Sequence, residues 1–459
     1  MRNQVVNRWK ALAARFARTE RGNVAMMFAI ILPVIIVSVG AAIDYGRAAK
    51  VRAAMQSAVD ATALMISKEA TGLTPTQVTT KAQSYFNALF TYPEVTGVTF
   101  SAVYTANSGS GASIKVDATG TMQADILKVP VPITVSSTTK WGNIRYRVAL
   151  ALDNTGSMAS ANKMTELKNA ANQLINDFYN MAGSDADVYL SIVPFSRDVN
   201  VGTAYKNANW VRWSGADGWD AFNGACSGDS SKKNKTDCNN AGRVWNPANR
   251  NTWNGCVMDR DQNYDTTNDV VANSPAGVMA PAHQYSDCPV AMMPMTGVKT
   301  QKQTLLDKID DMIPVGTTNQ AIGMFWAWQT LKTTGPFAAP SKDSNYVYMD
   351  TIILLTDGLN TENRYASGCN YLFGFLAGCD HEPAVDVRQA SLCANIKTSG
   401  VKVFAIQVAT DGDAVSDVTK NCTSEPNNTN YFSYITSAGQ MTVKFQNIFK
   451  ELARLRVAA

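Results

Sequence analysis

A run of 22 residues without a charged side chain, from Gly22 to Ile43, constrains this chain more than any other feature. As an α-helix rising about 1.5 Å per residue, the run would be about 33 Å long, close to the thickness of the hydrocarbon core of a bilayer. Its one proline, Pro33, is compatible with this interpretation because transmembrane helices tolerate proline. The run therefore predicts a transmembrane helix over residues 22–43.

Basic residues are concentrated in front of this run. Residues 1–22 hold six of the 41 Lys and Arg side chains and one of the 37 Asp and Glu side chains, which leaves 35 basic and 36 acidic side chains for the rest. Such an asymmetry favours a cytoplasmic N-terminus. We therefore expect a basic cytoplasmic tail over residues 1–21 and a body outside the cytoplasm. That near-neutral body lacks the basic surface of nucleic-acid-binding proteins, so we expect no nucleic-acid partner.

The apolar run is open to two alternative interpretations. A cleaved signal peptide could use Val39, Gly40 and Ala41 as its small-residue site, although the run is longer than a usual signal-peptide core. A core helix of a soluble domain is disfavoured, since an uncharged stretch of this length is hard to bury.

The cysteines agree with export from the cytoplasm. There are eight, all beyond residue 225, in surroundings rich in Asn and Gly: Cys226, Cys238, Cys256, Cys288, Cys369, Cys379, Cys393 and Cys422. An even number in such loops predicts disulfide bonds in an oxidising compartment. The pairing is not deducible, although Cys369 with Cys379 is the most local choice. A zinc site is the weaker alternative, because CxxC spacing is absent and the chain has two histidines.

The chain beyond the apolar run divides by its pattern. Residues 44–143 predict a helical stem that continues the membrane helix, followed by a small α+β module. In residues 144–459 buried strands alternate with amphipathic helices, which predicts an α/β doubly wound parallel sheet. Residues 196–300 interrupt this alternation with four cysteines and five of the nine tryptophans. We interpret them as a disulfide-containing insertion, whose tryptophans either form a binding face or, more commonly, pack internally.

Polar residues follow two of the predicted buried strands where each strand ends. Asp153 ends the run VALALD, and Thr155 and Ser157 follow at alternate positions. Asp357 ends the strand DTIILLTD, and the loop PVGTTNQ offers Thr317 or Thr318 before a helix. Because ligands bind at the carboxyl ends of strands in an open α/β sheet, these residues predict a common site. Carboxylates and hydroxyls suit Mg²⁺, or Mn²⁺ or Ca²⁺. The simpler alternative is a helix cap and an ordinary turn.

These motifs, DxTxS, GTTN and LLTDG, resemble the metal-ion-dependent adhesion site of von Willebrand factor A domains. The resemblance covers residues 144–459, apart from the insertion. It implies a metal bound by side chains from three loops: Asp153, Thr155 and Ser157, then Thr318, then Asp357. Thr318 is preferred to Thr317 because it precedes Gly323 by five positions, and Thr155 stands where serine is commoner. The family binds protein partners by bridging the metal to an acidic residue of the partner.

The N-terminal segment ERGNVAMMFAIILPVIIVSVGAAIDYGRA resembles TadE- and TadG-type proteins of the tight-adherence (Flp) pilus system. This resemblance implies a single-pass protein of the bacterial inner membrane, with a large extracytoplasmic region of von Willebrand A type. It also adds a third fate for the N-terminus, prepilin-like processing after Gly22. Against that fate, Met27 stands where the processed proteins have glutamate.

Together these features predict a membrane-anchored, non-enzymatic pilus assembly or adhesion component that binds a protein partner through a metal. The partner would be another pilus assembly component or a surface ligand with an acidic residue. The alternative is a structural anchor or pseudopilin-like scaffold with a vestigial metal site. A hydrolase is a third hypothesis, but the sequence shows no catalytic triad, and neither a P-loop nor a strand-associated GxGxxG supports a nucleotide cofactor.

Two shorter motifs are ambiguous. Asp259, Asp261, Asn263 and Asp265 resemble the first half of an EF-hand loop, but Tyr264 replaces its glycine, so a partial calcium site competes with a solvated acidic loop. The sequence CDHE at 379–382 precedes a predicted helix, where acidic residues complement the helix dipole. We expect no catalysis there.

Overall fold

The computed structural model describes residues 22–70, 73–105, 112–141, 144–344, 346–372, 375–410 and 412–458. The predicted cytoplasmic tail, residues 1–21, lies outside these ranges. The chain divides into two compact units, Met1–Gly142 and Asn143–Ala459.

The first unit is built on one helix of 48 residues, α1, Gly22–Glu69. Its segment Met26–Ser67 is long and apolar enough to cross a membrane, with a mean hydropathy of 2.7 in the most apolar window. Only 6% of that window is buried, which disfavours the core helix of a soluble domain. The second half of α1 is different, because Met55, Val59 and Ile66 are fully buried. The predicted membrane helix and stem are thus one continuous helix.

The rest of the first unit packs on this second half. Helix α2, Pro75–Leu89, begins with a capping box in which Thr74 and Gln77 satisfy each other's backbone N–H groups. Three antiparallel strands follow in the order β1–β2–β3: Val95–Thr105, Ala112–Gln123 and Pro130–Trp141. Alternate side chains of β2 are buried, as expected for a sheet with one covered face.

The turn between β2 and β3 is fixed to α1. The Asp44 carboxylate accepts hydrogen bonds from the backbone N–H groups of Asp125, Ile126 and Leu127, at 2.8–3.2 Å. Four residues earlier, a Cβ on Gly40 would lie 2.6 Å from Cγ2 of Ile126, so the helix and the turn touch where glycine leaves room. The turn is therefore held at the end of the apolar half of α1.

The second unit contains a mixed sheet in which five adjacent strands are parallel. They are β4 Ile144–Asp153, β5 Val188–Phe195, β13 Val347–Thr356, β16 Lys402–Val408 and β17 Phe432–Ile435. Their order in the sheet is β5–β4–β13–β16–β17, and short antiparallel strands of the insertion extend the sheet beyond β5. Strands β4 and β5 are almost continuously buried because both faces of the sheet are covered.

Helices cover both faces of this sheet. One face carries α3 Lys163–Met181, α6 Lys302–Asp310 and α10 Met441–Ala458, and the other carries α7 Gln320–Thr330, α8 Pro383–Thr398 and α9 Asp417–Cys422. Strand β4 shows the division, because Val148, Leu150 and Leu152 belong to the first core and Ala149 and Ala151 to the second. The unit is therefore a three-layer α/β structure.

The insertion joins the second of these cores. Trp210, Trp213, Trp219 and Trp253 are buried in the same hydrophobic cluster as residues of α7, and Trp245 packs with the Cys226–Cys238 disulfide. The tryptophans therefore pack internally rather than form a binding face. The insertion holds helices α4 Trp219–Phe222 and α5 Lys235–Asn240, and short strands β6 Val199–Asn200, β7 Val211–Arg212, β8 Gly224–Cys226, β9 Trp245–Pro247, β10 Cys256–Val257, β11 Ala280–Pro281 and β12 Met293–Gly297.

All eight cysteines are paired, which confirms the predicted disulfides. The bonds are Cys226–Cys238, Cys256–Cys288, Cys369–Cys379 and Cys393–Cys422. The third closes the hairpin of β14 Cys369–Leu372 and β15 Phe375–Cys379, the most local pair expected from the sequence.

Candidate functional site

Four of the five predicted ligand side chains form one hydrogen-bonded chain. At the end of β4, the hydroxyl and backbone N–H of Thr155 both donate to Oδ1 of Asp153, at 2.5 and 2.9 Å. The hydroxyls of Thr155 and Ser157 lie 3.0 Å apart, and Ser157 donates to Oδ1 of Asp357 at 2.7 Å. Asp357 directly follows β13, so the parallel pairing of β4 and β13 brings the two aspartates to the same edge.

Hydrogen bonds hold the loop before Thr318 against the Asp153 loop. The side-chain amide of Asn154 donates to the carbonyl of Ile313 at 2.6 Å, and the N–H of Val315 donates to the carbonyl of Asn154 at 2.7 Å. The N–H of Gly156 also donates to the carbonyl of Gly316 at 2.9 Å. Gly316 has a φ of +78°, a conformation that glycine adopts readily.

Thr318 itself is bonded to the Asp357 loop. Its N–H donates to the Thr361 hydroxyl, and its carbonyl accepts from the N–H of Thr361, each at 2.9 Å. The neighbouring Thr317 points elsewhere, since its hydroxyl donates to Oε2 of Glu362 at 3.0 Å. Thr318 is thus placed at the same edge through its backbone, between the other two loops. This placement favours Thr318 over Thr317 as the candidate from this loop.

Asp153 is in an environment that disfavours its charge. It is fully buried, and its Oδ2 accepts a hydrogen bond from the Thr356 hydroxyl at 2.7 Å. Burial, followed by the negative charge of Asp357, raises the pKa of Asp153 to about 7. Two buried carboxylates so close together require a nearby cation if both are to be ionised.

The structure supplies one such cation that the sequence patterns did not indicate. Nζ of Lys163 lies 2.8 Å from Oδ2 of Asp357, and the two side chains are 1% and 0% exposed. Lys163 is the first residue of α3, where a positive charge is unfavourable to the helix dipole. That misplaced charge was the available signal, but the partner is 194 positions away and no local pattern indicates it.

The oxygen atoms fit a hard cation in chemistry and spacing. Neighbouring ligands in an octahedral Mg²⁺ site, about 2.1 Å from the ion, lie about 3.0 Å apart. The distances between Thr155 and Ser157 and between Ser157 and Asp357 are 3.0 and 2.7 Å. However, among the described residues no cluster of three or more Asp, Glu, His or Cys side chains could hold a metal. Any metal here would depend on two carboxylates and neutral hydroxyls.

The EF-hand-like run of the insertion is engaged with other side chains instead. Asp259 accepts a hydrogen bond at 2.9 Å from the side-chain amide of Asn319, the residue that follows Thr318. Burial raises the pKa of Asp259 to about 6. Asp261 accepts two hydrogen bonds from Arg212, which lower its pKa to about 2. Asp265 pairs with Arg388. Asp259 and Asp265 therefore join the insertion to residues outside it, whereas the Arg212 partner of Asp261 lies within the insertion. These contacts favour the interpretation without calcium.

The motif at 379–382 has a structural role. Oε1 of Glu382 accepts from the N–H of Ala384 at the start of α8, and Nε2 of His381 lies 2.7 Å from Oδ2 of Asp386. Glu382 thus caps the helix, as the sequence suggested.

Comparison with known proteins gives a family match for the N-terminal segment. Residues 22–65 match the family model described as "Putative Flp pilus-assembly TadE/G-like". No curated protein matches the chain.

Solved structures resemble the chain only distantly. The pilus adhesin SpaC from Lactobacillus rhamnosus GG is 12% identical with a TM-score of 0.39, and the match covers 80% of this chain and 36% of the adhesin. The vWF domain of the type V pili tip protein Mfa5 from Porphyromonas gingivalis is 9% identical with a TM-score of 0.36, covering 69% of this chain and 97% of that one. The pilus adhesin RrgA from Streptococcus pneumoniae is 10% identical with a TM-score of 0.34, covering 79% and 49%. The match to residues 22–65 confirms the predicted resemblance to TadE/G-like proteins.

Proposed function

We propose that this chain is a non-enzymatic, membrane-anchored component of pilus assembly or adhesion that binds a protein partner through a divalent cation. The TadE/G-like match supports the connection to pili. The exposed apolar half of α1 supports a single-pass anchor. The basic N-terminal tail supports a cytoplasmic N-terminus in a bacterial inner membrane, with the bulk of the chain on the other side.

For residues 144–459 we propose a von Willebrand A-type domain, interrupted by the insertion at 196–300. The support comes from the parallel order β5–β4–β13–β16–β17 and from helices on both faces of the sheet. Residues 1–21, 22–43 and 44–143 keep their predicted roles as tail, transmembrane helix, and stem with a small α+β module.

One contact carries the proposed site: the hydrogen bond of 2.7 Å between Ser157 and Asp357, which joins loops 200 residues apart. Asp153 and Asp357 provide negative charge, whereas Thr155, Ser157 and Thr318 offer neutral hydroxyls. With few charged ligands, a bound Mg²⁺, Mn²⁺ or Ca²⁺ would stay electrophilic and could accept a carboxylate from the partner.

The test uses Mn²⁺ as the probe and the full chain in detergent micelles. Electron paramagnetic resonance measures free Mn²⁺, and we expect Ser157→Ala to weaken binding on the order of tenfold, or about 1.4 kcal/mol. The matched control is Ser160→Ala, which removes an exposed hydroxyl of the same turn that donates to the carbonyl of Ser157. Added acetate should lower the water relaxivity of the bound Mn²⁺, because a carboxylate would replace a coordinated water.

Equal binding by wild type and Ser157→Ala would contradict the site. A wild-type protein that binds no Mn²⁺ at millimolar concentration would favour the second candidate function, a structural anchor or pseudopilin-like scaffold with a vestigial site. The observation that favours this second candidate is the buried Lys163–Asp357 pair, which already supplies one positive charge.

A further inference from the structure

Lys163 binds the same carboxylate, that of Asp357, that a metal at the candidate site would bind. Its ammonium group lies 2.8 Å from Oδ2 of Asp357, whereas Oδ1 of the same carboxylate accepts from Ser157. Both side chains are almost completely buried, so water contributes little to screening their charges. The ammonium is therefore one of the charges that decide which cation this carboxylate can bind.

The backbone in front of Lys163 is held in an unusual conformation. Ala161 and Asn162 have φ values of +51° and +59°, which non-glycine residues rarely adopt. Immediately after them α3 begins with Lys163, a residue type that the positive end of a helix dipole disfavours. Burial of a lysine is also costly unless the charge is paired. Two unfavourable features, the positive φ values and a lysine at the start of a helix, thus coincide at a buried ammonium whose charge is paired with Asp357.

Charge balance shows why the ammonium and a divalent cation would exclude each other. Ionised Asp153 and Asp357 carry two negative charges, which a divalent cation neutralises by itself. The ammonium and a divalent cation together would leave a net positive charge in a buried site, at short distance and weak screening. Metal binding should therefore require Lys163 to leave Asp357.

We propose that Lys163 is a built-in competitor of the divalent cation, which neutralises Asp357 in the metal-free protein and lowers the affinity of the site for metal. This inference rests on the proposed metal site and adds its regulation: the ammonium sets the cation concentration at which the site becomes able to hold a carboxylate partner. A residue that merely positioned Asp357 would have the opposite effect, because its removal would weaken metal binding.

The experiment compares Mn²⁺ binding by full-length wild type, Lys163→Gln and Lys163→Met in detergent, again by electron paramagnetic resonance. We expect both variants to bind Mn²⁺ at least about tenfold more tightly, the factor that corresponds to about 1.4 kcal/mol. The control is Lys168→Gln, which makes the same change five residues further along α3, where the ammonium donates to the carbonyl of Asp310. The control should bind as wild type does.

A second measurement uses thermal unfolding. Without metal, Lys163→Met should unfold at a lower temperature than wild type, since two buried carboxylates lose their counter-ion, and Mg²⁺ should raise its midpoint more than that of wild type. Mg²⁺ supplied during purification should likewise rescue a variant that does not fold alone. Variants that fail to fold with Mg²⁺ as well as without it would overturn the proposal.

The outcomes separate this inference from the proposed function. Equal or weaker Mn²⁺ binding by the folded Lys163 variants than by wild type overturns the competition while the metal site stands. If the Lys163 variants bind Mn²⁺ and wild type does not, the competition is supported and metal-bridged adhesion by the wild-type protein is refuted. Absence of binding in every variant and in wild type overturns the metal site and the competition together.

Discussion

The buried Asp153 carboxylate makes the metal-free protein sensitive to pH, and Asp153→Asn should remove that sensitivity. Because the pKa of Asp153 is about 7 in the folded protein and its ordinary value is 3.8, the folded state binds a proton more tightly than the unfolded state. The contribution of this group to stability is then fully present below about pH 4 and is lost as the pH rises through about 7. Asparagine has a similar shape and does not ionise.

The size of the effect follows from that shift. About three pKa units, at 1.36 kcal/mol each, correspond to on the order of 4 kcal/mol of stability. For the second unit, Asn143–Ala459, the average unfolding entropy per residue converts this energy to about 6 °C in the unfolding midpoint. In EDTA, the wild-type midpoint should therefore fall by most of this amount between pH 5 and pH 8, and the Asp153→Asn midpoint should not.

Tryptophan fluorescence in a thermal ramp is a suitable assay, because Trp210, Trp219 and Trp253 are buried in the core of the second unit. Mg²⁺ should restore the wild-type midpoint at pH 8 and leave Asp153→Asn unchanged, since the variant lacks the ligand. Asp307→Asn, an exposed position on α6, is the matched control and should follow wild type. A wild-type protein with the same midpoint at pH 5 and pH 8 in EDTA would refute the predicted contribution of Asp153.

Three further predictions concern ligands, disulfides and topology. Thr318→Ala should weaken Mn²⁺ binding and keep the fold, and Asp153→Ala should weaken Mn²⁺ binding more because a charge is lost as well. Circular dichroism checks that both variants are folded. Stronger Mn²⁺ binding by Asp153→Ala than by Thr318→Ala would contradict the ligand assignment. Replacing both Cys393 and Cys422 by serine, which opens a loop of 29 residues, should lower the free energy of unfolding by roughly 3–4 kcal/mol; an unchanged urea midpoint would show that this bond contributes little. A reporter fused to the C-terminus should be active only if it is a type that functions outside the cytoplasm, and cytoplasmic activity would reverse the proposed topology.

Sequence patterns predicted the parts of this fold in which burial and periodicity coincide. Strand β5, Val188–Phe195, is apparent from the sequence because the run is apolar apart from Ser191 and lies between polar turns. The second half of strand β3 is not apparent from the sequence, since hydrogen bonding to β2 extends the strand to Trp141 through polar residues that hydrophobicity does not mark. The four-residue strand β17 and the short strands of the insertion were missed, because they depend on distant pairing partners rather than on local sequence.

The candidate site was predictable to a similar extent. The rule that parallel strands present their carboxyl ends at one edge was enough to bring Asp153 and Asp357 together. The contact of Lys163 with Asp357 was not predictable, because it joins positions 194 residues apart and follows two residues with positive φ, Ala161 and Asn162. Tertiary contacts of this kind leave no periodic signal in the chain.

The attachment of the β2–β3 turn to α1 sets how far the first unit can stand from a bilayer. Asp44 and Gly40 hold Ile126 and Leu127 at the last residues of the apolar stretch, so no flexible spacer separates the anchor from the folded unit. When α1 spans a membrane, this turn must rest at the level of the lipid headgroups, and the half-exposed side chains of Ile126 and Val129 would meet the interface. The helix cannot then move along the bilayer normal without moving the turn as well, so the turn would fix how deeply the helix inserts.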